Sequence, residues 1–108
     1  MRDQLIAELT ALKQSIVAAN DEVFSASHEL MVKKDALRAR EDYLTLNGII
    51  DGKNAEIRAA QLRQETIIER QDVAEAEDYL ESAKATLSNR MAELRINLGL
   101  VELLKGVA

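Results

Sequence analysis

Apolar residues recur along the first half of the chain at alternating intervals of three and four. Leu9, Ile16, Val23, Leu30, Leu37 and Leu44 fall every seven residues, and Leu5, Leu12, Ala19, Ala26, Lys33 and Arg40 interleave with them. The first series is apolar throughout; the second departs only at Lys33 and Arg40. A repeat of this kind over three or more heptads is a coiled-coil seam. The second half carries it again through Val73, Ala76, Leu80, Ala83 and Leu87, then Met91, Leu94, Leu98 and Val101. Ala83 to Leu87 and Leu87 to Met91 are both four-residue steps, which predicts one stutter there.

Between the two halves lies Asn47-Gly48-Ile49-Ile50-Asp51-Gly52-Lys53-Asn54, with two of the chain's four glycines. Asn-Gly and Asp-Gly favour turns because these residues tolerate positive φ. The pattern predicts helices over about 3–46 and 54–105 with a turn at 47–53, and no proline interrupts either helix. Gly48 stands where a left-handed C-cap belongs, and Asn54, or Asp51 before it, is the expected N-cap of the second helix, with Glu56 in its first turn.

So short a connection makes the helices antiparallel neighbours. Folding about residue 50 would set Leu9 against Met91, Ile16 against Ala83 or Lys84, and Val23 against Ala76. Lys33 and Arg40 would meet Gln61, Gln64 and Glu65, so the apolar seam is expected to be thinnest near the turn. The second helix would overhang by about two turns, leaving Leu98 to Lys105 without a counterpart. Ile6, Val17, Phe24, Val32, Leu62, Ile67, Leu100 and Leu103 fall off the stripe, and so wide an apolar face calls for more helices. The expected fold is all-α: one domain over 1–108, a long antiparallel helical hairpin of coiled-coil type, assembling with copies of itself into a helical bundle. Leu98, Val101 and Leu104 are its candidate oligomer-interface residues.

Composition narrows the class. With 47% hydrophobic and 31% charged residues the chain is too apolar for a disordered segment, and without cysteine it has neither disulfides nor thiolate metal ligands. Its N-terminus lacks a signal-peptide apolar core, and no apolar run reaches the roughly 18–20 residues of a membrane span. A cytoplasmic location is expected, that of the host cell if the chain is phage-encoded. The net charge of −5 argues against general nucleic-acid binding. Residues 33–63 hold seven basic groups against five acids, whereas Glu69, Asp72, Glu75, Glu77, Asp78 and Glu81 face only Arg70 over 69–81.

His28, the sole histidine, is expected in a surface ion pair with Asp72 on the facing helix. A metal site would need a second histidine or a Glu-x-x-His spacing, and neither occurs. The acidic run reads as a solvated face. No catalytic triad, phosphate loop or dinucleotide fingerprint is present, so neither an enzyme nor a cofactor is expected. Site-like chemistry lies in the turn. Gly52 allows close backbone approach, the start of the second helix offers free N–H groups beside Asn54, and Lys53 and Arg58 could bind phosphate or carboxylate. The other reading of Gly52, Lys53, Asn54 and Arg58 is a well-capped turn kept soluble by its cations. Tyr43 and Tyr79 read as amphipathic interface residues.

The run Gly52-Lys53-Asn54-Ala55-Glu56-Ile57-Arg58, followed by Ala60-Gln61-Leu62, resembles a recurring element of small helical proteins encoded by bacteriophages and mobile elements. With its flanks from Tyr43 the likeness covers about a fifth of the chain; beyond them only the heptad character agrees. It implies a genomic setting and carries no catalytic residues over. On that basis the expected function is a non-enzymatic phage accessory protein that inhibits or redirects a host or defence protein, its acidic helical face engaging a basic surface. Two alternatives stand beside it: an oligomeric sponge that sequesters an anionic nucleotide at the Gly52–Arg58 turn, and a structural coiled-coil component of the particle or its assembly.

Overall fold

The computed structural model describes residues 2–107. The chain is all-α, in the order α1 (Arg2–Leu46), α2 (Ala55–Glu65) and α3 (Ile67–Val107), with α1 and α3 forming an antiparallel hairpin. It divides into two units: one joins α1 up to Ser25 with α3 from Glu81, the other is Ala26–Leu80.

In the second unit, α1 ends as its sequence dictates. Gly48 takes φ +71°, its N–H bonds to the Thr45 carbonyl at 3.3 Å, and Ile49 N–H bonds to the Leu44 carbonyl at 3.0 Å. These are the two bonds of a Schellman cap, which satisfy carbonyls the helix end would leave bare. Leu44 is fully buried and Ile50 almost so, holding the loop against the helix end. Asn54 caps α2 from an extended conformation, its Oδ1 accepting the Ile57 N–H at 2.9 Å.

The second predicted helix is two. Thr66, at φ −121° and ψ +27°, ends α2, and the ladder resumes with Arg70 N–H to the Thr66 carbonyl. Its side chain is fully enclosed, donating its hydroxyl to the Leu62 carbonyl and accepting from Arg70 Nε at 2.9 Å. A hydroxyl bonded back to the carbonyl four residues earlier competes with the backbone ladder and bends helices.

The register differs from a fold about residue 50. Arg40 pairs with Glu69 and Glu41 with Arg70, both at 3.9 Å, so partner numbers total 40 + 69 = 109 and 41 + 70 = 111. In the first unit, Leu5 shares hollows with Val101 and Leu104, totals of 106 and 109. The loop and α2 take up the residues that a tight turn would have given to the pairing. Val23 is therefore level with Leu87 rather than Ala76, and Lys33 with Ala76 rather than Gln64. The overhang also goes: Val101 and Leu104 line a hollow with Leu5 and Leu9 of α1.

The α1 seam is as predicted. Leu12, Ala19, Ala26 and Leu44 are buried, and the other positions of both series, Lys33 and Arg40 included, are half-buried. Along α3 Asp72 is sheltered beside the seam, whose own positions are Glu69, Val73, Ala76, Leu80, Ala83, Leu87, Arg90, Leu94, Asn97 and Val101. They alternate three and four without a stutter. Arg90 and Asn97 hold the places expected for Met91 and Leu98, which are 39% and 49% exposed. The small residues Ala19, Ala26, Ala76 and Ala83 are buried at this seam, and small side chains there allow close approach of helix backbones.

Candidate functional site

The loop that carries the predicted anion-binding residues is closed by its own bonds. The Gln61 carboxamide reaches back from α2, its Oε1 accepting the Gly52 N–H and its Nε2 donating to Asp51 Oδ1, each at 2.9 Å. Arg58 Nη1 donates to the Gly52 carbonyl at 3.1 Å, and Asn54 holds the Ile57 N–H. A Cβ on Gly52 would stand 2.6 Å from Ile57 Cγ2 and 3.0 Å from Arg58 N and Gln61 Oε1. Glycine is needed there for close packing, since its φ is not positive.

The structure thus brings Gly52, Asn54 and Arg58 together, with the Gly52 N–H, the Ile57 N–H and one Arg58 nitrogen already engaged. Lys53 is exposed beside them and enters no ion pair among the described residues. Sequence reasoning missed Gln61, which ties both ends of the knot; its place in the Ala60-Gln61-Leu62 element was the available signal. Most of the Gly52–Arg58 and Ala60–Leu62 run is accounted for by this loop-to-helix junction.

A second constellation lies on one side of the Ala26–Leu80 unit. With Leu9 and Leu12 as heptad positions a and d of α1, and Val73 and Ala76 as a and d of α3, this side carries the g positions. Glu29, Lys33, Asp72, Glu75, Ala76 and Tyr79 line a shallow hollow there. Lys33 leans on Glu29 at 3.7 Å, whereas Asp72 and Glu75 enter no ion pair among the described residues. Tyr43 lies further along the same side, 53% exposed, with the Arg40 guanidinium 5.3 Å from its ring centre. Two exposed tyrosines on one side, with carboxylates beside Tyr79, suit protein recognition.

The remaining predicted positions fall as follows. His28 is exposed and forms no ion pair among the described residues, with Asp72 or any other acid. No three of His, Asp or Glu among the described residues are placed to hold a metal ion. No helix among them is long and apolar enough to cross a membrane. Of the three interface candidates, Val101 and Leu104 line a hollow with α1 within their own unit, and Leu104 and Leu98 are each about half exposed. Comparison of the chain with family models, with curated proteins and with solved structures finds no match.

Proposed function

We propose that the chain is a non-enzymatic binding protein of the phage accessory kind, which inhibits or redirects a host or defence protein by covering a basic surface on it. The observation that carries this reading is the g side of the Ala26–Leu80 unit, where Asp72 and Glu75, which enter no ion pair among the described residues, stand beside Tyr79 in the hollow that Lys33 also lines. Carboxylates steer encounter with a basic partner, and a tyrosine supplies contact area at little entropic cost. Such a partner surface is one that nucleic acid also occupies. The nucleotide-sponge reading is weaker, because the donors it needs at Gly52, Ile57 and Arg58 already have acceptors within the loop.

The test is affinity capture from host lysate with the wild type, Glu75→Lys and Tyr79→Ala. The expected result is a captured protein lost from both variants and displaced by added polyanion. Equal capture by all three sinks the assignment of this face. Nucleotide binding by the wild type that is abolished by Lys53→Ala/Arg58→Ala would favour the sponge instead.

A further inference from the structure

The unit formed by α1 to Ser25 and α3 from Glu81 has two flanks, one on each side of its seam, and they differ in charge. A hollow on the first is lined by Arg2, Leu5, Ile6, Leu9, Leu104 and Lys105, together with Val101. A hollow on the second is lined by Gln4, Leu5, Glu8, Leu100, Leu103 and Leu104. The first flank carries the e positions of both helices and the second the g positions, because antiparallel pairing sets like positions side by side, as the Glu41–Arg70 pair does in the other unit.

Charge is sorted between the e and g positions themselves, while Lys84 and Lys105 lean on Glu81 and Glu102 one turn away and Glu93 on Arg90. The e positions of this unit hold Lys13, Lys84 and Lys105, with no acid among the described residues. The g positions hold Glu8, Glu22 and Glu93, with no base among the described residues. All six side chains are exposed. Within one hairpin the seam parts Lys from Glu, so the three lysines do not meet the three glutamates across it. Both flanks are apolar as well as charged. Val17, Phe24, Met91 and Leu98 lie on or next to the e flank, Phe24 being 77% exposed; Ile96, Leu100 and Leu103 lie on or next to the g flank.

We propose that a second copy of this chain docks its glutamate flank against the lysine flank of the first, covering the apolar side chains beside that flank, Leu98 among them, with Leu100 and Leu103 of the other copy. The e positions of one flank and the g positions of the other carry opposite charge, and each flank leaves large apolar side chains uncovered beside it; burial of such side chains drives association, and the charges set partner and register. The contact joins two different surfaces. It leaves one flank of each kind open on the pair, so association continues beyond a dimer into a closed ring or a chain of copies. The inference uses other residues than the proposed host contact and does not rest on it.

Sedimentation and light scattering on the full chain test this, with two charge-reversed variants: Lys13→Glu/Lys84→Glu and Glu8→Lys/Glu22→Lys. Circular dichroism checks that each remains helical. Lys84 does pair with Glu81, at 3.8 Å, but both are exposed and the reversal leaves the seam untouched. The wild type is expected to exceed a dimer at high concentration and to dissociate as salt rises from roughly 0.05 to 0.5 M. Each variant alone should associate about tenfold more weakly or worse, since like charges now face each other. An equimolar mixture of the two should associate again, because both of its alternating contacts restore opposite charge. A wild type that stays at 12.0 kDa overturns the proposal. So does loss of association in the lysine variant alone, which would mean a contact between two e flanks or with another anionic surface. Failure of the mixture to recover overturns it too. Should a variant not fold, salt-independent association of the wild type has the same force.

Discussion

Three glycines of this chain answer the same substitution in three ways. Gly52→Ala would drive a methyl group to 2.6 Å from Ile57 Cγ2 and against the Gln61 amide that ties the loop, an overpacking that costs about 1–3 kcal/mol. Gly48→Ala meets no neighbour but must hold φ +71°, at about 1 kcal/mol. Gly99→Ala meets nothing within 4 Å inside a helix and should gain roughly 0.5–1 kcal/mol. Urea unfolding of the three variants gives the order. Thr66→Val keeps the shape but leaves Arg70 Nε without its acceptor and the Leu62 carbonyl without its donor. A loss of about 1–2 kcal/mol is expected, read from the same curves. The caps at Gly48 and Asn54 were legible because cap chemistry is local to a few residues. The reason for Gly52 was not, since it depends on Ile57 and Gln61 folding back over it. Thr66 carries no breaker signal; its burial is a tertiary fact.

Along whole helices the legible part was whichever face had no competitor. The α1 seam could be read outright because each of its positions outranks its neighbours in hydrophobicity or keeps the spacing of those that do. On α3 Met91 and Leu98 outbid Arg90 and Asn97 on apolarity alone, and that preference suggested a stutter which does not occur. Arg90 sits half-buried at the seam because its long apolar stem can pack while the head reaches Glu93, at 2.9 Å. Leu94→Lys should therefore cut helicity and lower the melting temperature, whereas Leu98→Lys should change stability by no more than about 0.5 kcal/mol in the dissociated chain. Dilute thermal melts followed by circular dichroism compare the two; equal losses would restore the stuttered register. Pairing levels were harder to read than faces. Nothing local says that 47–54 folds into a knot and that α2 begins beyond it, and each residue held there shifts every partner downstream.

For the molecule as a whole, the sequence showed an acidic segment and an apolar surplus but not their arrangement. The pairing level decides that, by setting Asp72, Glu75 and Tyr79 beside Glu29 and by sorting lysine from glutamate in the other unit. Glu75→Lys and Tyr79→Ala should abolish partner capture while leaving the melting curve in place, since both side chains lie outside the seam.

Partner numbers that total between 106 and 111 also set an order of events. Arg40 and Glu69 lie 69 − 40 = 29 residues apart in the chain, Leu5 and Leu104 lie 104 − 5 = 99 apart, and every intermediate level falls between. Closing the longest of these loops from an open chain costs only about 1 kcal/mol more than the shortest, but no level need be closed from an open chain once the one before it has formed. Formation by zipping outward from the capped loop makes each step local, which predicts folding fast for a chain whose pairings span so many residues. The same ladder runs backward under native conditions. Amide protons near Leu5 and Val101 should exchange first, and those around Leu37 and Val73 should wait for global opening. A protection profile flat from end to end would mean that the hairpin opens all at once.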